Sequence, residues 1–493
     1  MSSINELRSV RLEKLQKLKD AGMNPYPATI ARDYSLKTIR DSFETLSSEG
    51  KPISIAGRIM AIRGQGAILF AVLFDGTERF QAVFKKDEID EKLFTLFTDA
   101  IDMGDFISVT GTLFVTQRGE QSILVKEWTI ATKSLLPLPE KWAGIVDTDE
   151  RWRKRYLELA TDQSVFDRFV LRTKIIQSIR NYFNEKGFLE IETPILKNKA
   201  GGAMAQPFVT HHNDLDIDMK LRISLEIEHK MLMAGGFPAV YEIGKNFRNE
   251  GSDPTHIQEF TMMEWYAAYK TLEENIMWTE ELLKMLARDI VGKELFTIVD
   301  VEEKNIEIDF SGSWPKKKFA DLLKEYAGID MSEISDDELR QAAQKYGIDN
   351  SESKKMSRAN LLDFVYKHTA RPQLINPTFV IDYPGDLKPL AQQNEDGTAR
   401  VAQLIIAGAE ITNQYAELVD PVAQRRLLER QSNAKEAGDA EAMELDEDFV
   451  TAMEHGMPPM TGFGMGIDRL VALFTEQRNL RDTIFFPIMK PKD

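Results

Sequence analysis

Two apolar runs of alternating character, Ala239 to Phe247 and Phe260 to Tyr266, flank a charged loop containing Gly251. That arrangement predicts an antiparallel pair of strands inside a larger sheet. A strand period of two puts Phe260, Met262, Glu264 and Tyr266 on one face. The face then carries a flat aromatic ring, a carboxylate and a phenol, a set suited to a purine and a cation. Arg248 and Glu250 stand at the mouth of the loop, where a guanidinium can grip a phosphate in bidentate fashion. Read alone, the same residues also describe a solvated hairpin with a mixed-charge loop.

A second stretch narrows the choice. Thr461 to Phe474 reads TGFGMGIDRLVALF, three alternate glycines leading into an apolar helix with Asp468 and Arg469 in its first turn. Glycines let backbone approach a ligand closely, and a helix N-terminus favours anions. FRNEG in the hairpin and GMGIDR here together resemble motifs 2 and 3 of the class II aminoacyl-tRNA synthetases. Their surroundings resemble the lysyl enzymes of that class, over nearly the whole chain. The resemblance implies an α+β fold: an N-terminal OB-fold β-barrel and a class II catalytic domain, a mainly antiparallel sheet flanked by helices. It also implies activation of lysine with ATP to lysyl-adenylate and transfer to the 3′ end of tRNA(Lys). Aspartyl and asparaginyl enzymes share the layout, and a catalytically silent RNA-binding paralogue is the alternative from another class.

Composition is compatible with this. At 493 residues the chain suggests about three domains. No apolar run approaches the roughly 18 residues of a membrane span, and the N-terminus lacks the apolar core of a secretory signal. The chain has no Cys, which excludes disulfides and thiolate zinc sites. The six His are scattered apart from His211-His212, so any metal is expected to be a hard cation on oxygen ligands. A cytoplasmic protein without a membrane segment is expected. The net charge of −17 argues against a uniformly basic nucleic-acid binder, yet local basic patches suffice for RNA.

Along the chain, residues 4–21 form an amphipathic helix pattern, with Leu7, Leu15 and Leu18 at helical spacing and Arg8, Arg11, Lys14, Lys17 and Lys19 on a basic face. That face is either solvated or an RNA contact. Residues 53–130 hold about five short alternating runs separated by Gly turns, the pattern of a small barrel, with an OB-fold the natural candidate. The resemblance then implies residues 1–140 as an N-terminal helix and anticodon-binding barrel, 141–163 as a linker and 164–493 as the catalytic domain. In the linker, Arg151, Arg153, Lys154 and Arg155 could face RNA or join an ion network. A long helix from Ser164 to about Lys186, with a capping arrangement at Ser164 and Asp167 and a stop at Gly187, precedes a strand that meets Pro194. This unit resembles motif 1, the homodimer element of the class. Residues 330–370 resemble its helical insertion, and the acidic segment Glu436 to Asp448 should repel RNA. Val401 to Leu418 reads as a hairpin turning at Ala407-Gly408. Period two places Asn413, Tyr415 and Glu417 on one face and Gln403 with Glu410 on the other, so joint function requires a bulge between Glu410 and Asn413.

The resemblance assigns roles residue by residue. Arg248 and Arg469 are the catalytic cations. Arg248, Glu250, His256, Phe260, Glu410 and Arg469 bind ATP; Gly202, Glu226, Glu264, Tyr266, Asn413, Tyr415 and Glu417 bind lysine. Glu226 and Lys230 also stand at i, i+4, where a surface salt bridge is the plainer reading. Arg63, Phe70, Gln81 and Glu120 meet the anticodon, in agreement with what stacking and base-edge contacts need. Mg²⁺ is expected on Glu410, with Gln403 as a doubtful second ligand. The sequence departs from the lysyl pattern twice: Gln403 stands where a carboxylate is expected, and Thr255 where an arginine is.

Overall fold

A computed structural model of the chain describes residues 4–139, 145–299, 303–354, 356–436 and 445–492. The chain divides into two compact units, Met1–Val146 and Asp147–Asp493.

In the first unit five strands, Ile53–Gln65, Ile68–Phe74, Arg79–Lys85, Phe106–Val115 and Gln121–Thr132, close into a barrel. A parallel pairing of the third and fifth strands completes the antiparallel set. Alternation sets the inside: Leu69, Ala71 and Leu73 are buried, while Phe70 and Val72 between them face outward and are half-buried. Phe80, Phe84, Phe97 and Trp128 fill the core, each worth about 1.5–3 kcal/mol of burial for a side chain of this kind. Phe97 belongs to a helix, Glu91–Ala100, capped by Asp90 and set between the third and fourth strands.

The N-terminal helix spans Ile4–Asp20. Its basic face divides, which corrects the single solvated or RNA-facing surface expected. Arg11 is buried, donating from Nη1 to the carbonyls of Ser134 and Leu136 and from Nη2 to that of Met103. Lys14 pairs with Asp102 at 2.6 Å. Both are structural, and Arg8, Lys17 and Lys19 remain exposed.

The second unit is built on an eight-stranded sheet. Its order is Lys316–Lys318, Thr378–Pro384, Thr398–Ile406, Ala409–Ala416, Met460–Gly466, Glu259–Ala268, Ala239–Phe247 and Leu189–Glu190. The inner pairings are antiparallel, and those at the two edges are parallel. Helix Gln163–Glu185 lays Ile175, Ile179 and Phe183 on one face of this sheet, against Tyr241, Met263, Trp265 and Phe463. Helices Leu272–Met285 and Ile467–Phe474 share that core. The first helix is capped by Asp162, which accepts from the backbone of Ser164 and Val165, rather than by Ser164 and Asp167. Gly187, at φ 81°, ends it as expected.

Between residues 330 and 370 lie helices Asp336–Gln344, Asn350–Ser353 and Arg358–Thr369, packed with Phe319–Ala327 on Val380, Tyr383 and Val401. Arg151 pairs with Glu158 and Asp482, Arg153 with Asp149, Lys154 with Glu150 and the buried Arg155 with Glu158, so these four cations serve an ion network. The acidic segment lies largely outside the described residues. Among the described residues, no helix is long and apolar enough to cross a membrane.

Candidate active site

The face of the sheet opposite the three helices holds the chemistry. A row of directly paired residues crosses five strands: Gln403, Asn413, Gly464, Glu264 and Glu242. The neighbouring row is Val401, Tyr415, Gly462, Tyr266 and Val240. The two glycines lack side chains at the centre, leaving a floor between walls. A Cβ on Gly462 would lie 2.0 Å from Glu417 Oε1 and 2.5 Å from the Tyr266 ring.

The hairpin explains how Glu410 reaches this face. Ala407 and Gly408, at φ 49° and 72°, form a two-residue turn of the kind that matches strand twist. Pairing then slips: Leu404 faces Thr412 but Ile405 faces Glu410, so Ile411 is an extra residue, directed into the core. The expected bulge exists, and Asn413 Nδ2 donates to Glu410 Oε1 at 2.7 Å. Gln403 does not lie on the opposite face from Asn413. Direct pairing puts both on one side, because the slip occurs beyond them.

Three carboxylates converge beside the glycine floor. Glu264 accepts from Ser224 Oγ at 2.9 Å, the Leu225 amide at 3.0 Å and the Tyr266 hydroxyl at 3.1 Å. Glu226 accepts from Lys230 Nζ at 2.6 Å, and Glu417 pairs with the same ammonium at 2.5 Å. The i, i+4 salt bridge is therefore real but buried, and it joins two pocket carboxylates. Glu417 is 0 % exposed and its Oε1 has no hydrogen-bond partner. Gly202, at φ 83°, lies against Glu226, where a Cβ would meet that residue's Cβ at 2.9 Å. Burial pushes Tyr266 and Tyr415 well up, reinforced by the surrounding acids, so both phenols stay protonated. Glu242, in the same row, is already committed to Arg222, His229 and Thr193. Burial would raise it, yet those partners hold it below the usual range.

Cations gather at the other end. The Arg248 guanidinium lies 5.2 Å from the Phe260 ring centroid and donates weakly, at 3.4 Å, to the Ile223 carbonyl. Arg469 Nη1 donates to the Glu410 carbonyl and Nη2 to His256 Nε2, both at 3.1 Å. A guanidinium only donates, so Nε2 accepts and Nδ1 carries the proton given to Asp253 at 2.9 Å. Glu250 is exposed and receives the Gln206 amide at 3.3 Å. The Thr255 hydroxyl is spent on Asp253 at 2.8 Å. Asp468, behind this cluster, accepts from the Thr261 amide and pairs with Arg172 of the long helix, both at 2.7 Å.

The family model of class II tRNA synthetases (D, K and N) matches residues 147–490, and that of the OB-fold nucleic acid binding domain matches 53–131. A protein of Moorella thermoacetica described as lysine-tRNA ligase is 42% identical over 493 residues, 99% of each chain. Lysine-tRNA ligases of Carboxydothermus hydrogenoformans and Lactococcus lactis are each 41% identical, over 99% of each chain. This chain belongs to the lysine-tRNA ligase family of class II.

In this lysine-tRNA ligase a set of oxygen donors lies around Glu410, next to Arg469. Among the described residues, no group of three or more His, Cys, Asp or Glu could by itself hold a metal. Glu410, the Gln403 amide and the buried, unpartnered Oδ1 of Asn413 nevertheless stand together as oxygen donors. That set fits Mg²⁺, which keeps waters and substrate phosphates among its ligands.

On the ligase barrel, Arg63 and Phe70 are directly paired, and Gln81 pairs with Val72, one step along the same outer face. Gln81 Nε2 also donates to Ser122 Oγ at 2.9 Å, and the exposed Glu120 lies 3.8 Å from Arg40. Sequence reasoning missed Ser224 and the pocket position of Lys230. A Ser beside a buried acid carries no sequence signal. For Lys230 the signal was present, but spacing alone does not distinguish a buried pair from a surface one.

Proposed function

We infer that this lysine-tRNA ligase binds lysine between Glu226, Glu264 and Glu417. The observation that carries this is three buried carboxylates over a glycine floor, one of them with an unpartnered oxygen. A pocket for aspartate or asparagine would offer free cations or amide readers to the side chain, whereas Lys230, the cation in contact with these acids, is already paired with two of them. The α- and ε-ammonium groups of lysine meet the carboxylates, Tyr266 and Asn413 add polar contacts, and the Tyr415 ring and Gly202 backbone line the stem and head.

Activation joins the lysine carboxylate oxygen to the α-phosphorus of ATP as the bond to pyrophosphate breaks. No enzyme nucleophile is needed; alignment and charge neutralisation suffice. Arg248 holds the carboxylate and α-phosphate, and Arg469 with His256 the terminal phosphates. Phe260 stacks on adenine and Glu250 accepts from its amino group. Glu410 and Gln403 would hold Mg²⁺, which would offset phosphate charge there. The acyl group then passes to the terminal ribose hydroxyl of tRNA(Lys), releasing AMP. Exchange of ATP and pyrophosphate with each of the twenty amino acids tests this reading: lysine should drive it, and exchange driven by aspartate or asparagine instead would overturn the pocket assignment.

Gln403→Glu adds a charged ligand, so it should lower the Mg²⁺ concentration for half-maximal exchange while leaving amino-acid preference alone. A Mg²⁺ titration in which the two proteins coincide would remove Gln403 from the metal site. On the barrel, stacking of one base is worth about 1–3 kcal/mol by alanine substitution. Phe70→Ala should weaken tRNA(Lys) charging by that amount with lysine-dependent exchange unchanged; equal losses in both assays would make Phe70 a packing residue.

The working unit we propose is a homodimer. Leu189, Ile195, Leu196 and Val209 are 42–63 % exposed around the strand before Pro194, an apolar patch suited to isologous pairing. Light scattering should give twice the chain mass, and a concentration-independent monomer would exclude this. The reaction assigns the enzyme to the cytoplasm, where ATP and tRNA(Lys) meet, and cell fractionation checks that.

A further inference from the structure

Lys230 is 0 % exposed, and its ammonium faces three acceptors: Glu226 Oε1 at 2.6 Å, Glu417 Oε2 at 2.5 Å and the Leu390 carbonyl at 3.4 Å. It carries three protons, so none is left for a ligand. Its charge, however, counts. Glu226, Glu264 and Glu417 bring three acid groups to one pocket, and Lys230, touching two of them, offsets part of their charge. Lysine brings two ammonium groups, while its carboxylate is matched by Arg248.

We propose that Lys230 is a positioning residue: it holds Glu226 and Glu417 in place and offsets part of their charge, so that these acids face the ammonium groups of a diamino acid. The inference rests on the reading of this pocket as the lysine site.

The groups facing this centre are Glu226 on its own helix, Glu264 and Tyr266 on the strand Glu259–Ala268, Tyr415 and Glu417 on the strand Ala409–Ala416 and just beyond it, and Lys388. Burial pushes Glu417 up to about 8 and raises Glu226, with Lys230 pulling against burial at both. A carboxyl with a raised pKa is protonated below that value and binds an ammonium only when ionised. The Michaelis constant for lysine should therefore fall as pH rises through about 8. Loss of an opposite charge this close moves a carboxyl up by about 1–3 pH units.

The test is lysine-dependent ATP-pyrophosphate exchange between pH 6.5 and 9 in wild type, Lys230→Met and Lys230→Arg, with unfolding midpoints measured alongside. In Lys230→Met the fall in lysine KM should move to higher pH, with KM at pH 7 up about tenfold and kcat and the KM for ATP close to wild type. Preference for lysine over norleucine, which lacks the ε-ammonium, should narrow. Lys230→Arg should keep the wild-type profile in part. Should Lys230→Met fail to fold, Lys230→Gln, which can still donate to Glu226 and Glu417 but carries no charge, takes its place with the same expected shift. A pure packing role would leave the profile of lysine KM against pH in place. A folded, uncharged variant with an unmoved pH profile overturns the proposal alone. No lysine-driven exchange in the wild type overturns the functional reading, and this proposal with it.

Discussion

Above about pH 8, where Glu417 is ionised, Glu417→Gln is expected to raise the lysine concentration for half-maximal exchange by two to three orders of magnitude. Glu417 is buried, pairs with Lys230 at 2.5 Å and keeps Oε1 free of partners in the direction of Gly462. An amide of the same shape removes the charge and leaves Lys230 with Glu226 as its one carboxylate. Truncating one partner of a buried charge pair formed on binding costs about 2–5 kcal/mol, and each 1.36 kcal/mol is about a factor of ten. The loss belongs in KM for lysine, since the phosphate cluster is untouched; KM for ATP should stay within a few-fold. A variant whose kcat falls while lysine KM stays put would make Glu417 a structural residue.

Gly462→Ala should be nearly as damaging with a single methyl group. That methyl would lie 2.0 Å from Glu417 Oε1 and 2.5 Å from the Tyr266 ring, closer than atoms tolerate. The strand cannot slide away, because Asn275 Nδ2 holds the Gly462 carbonyl at 2.7 Å and Thr461 Oγ1 holds that of Tyr415 at 2.6 Å. Glu417 and Tyr266 must therefore yield, which displaces two of the groups proposed to meet lysine. The overpacking costs about 1–3 kcal/mol of stability; the exchange rate at subsaturating lysine should drop about a hundredfold, as a 1 Å misplacement in such a site does. Gly466→Ala is the comparison, its methyl meeting only the Arg469 side chain at an ordinary 3.7 Å. Equal losses in the two variants would argue against a special role for Gly462.

Much of this site is legible in the sequence. The hairpin face bearing Phe260, Glu264 and Tyr266 follows from period two, and a close backbone approach from the alternate glycines, though not the strand that carries them across the sheet. The bulge in the second hairpin was required because Glu410 and Asn413 are an odd number of residues apart. The side of Gln403 was misjudged for the same reason in reverse: its partner across the ladder, rather than its spacing from Glu410, decides which way it points. Arg11 and Lys14 resemble their exposed neighbours in sequence, and what sets them apart are acceptors more than 80 residues away, at Ser134 and Asp102. Lys230 poses the same difficulty. Helical spacing reports that two side chains can meet, but not whether water is there when they do.

The last strand to be synthesised, Met460–Gly466, lies in the middle of the sheet, between Ala409–Ala416 and Glu259–Ala268. A chain still emerging from the ribosome at about 5–20 residues per second therefore holds two half-sheets with no seam between them. Each presents an unpaired edge, a template for wrong partners. The residues from Met460 onward close that gap, and they bring Gly462 and Arg469 with them. No substrate can stabilise the growing chain through a finished site until that strand arrives, so this keystone strand ties completion of the sheet to completion of the site.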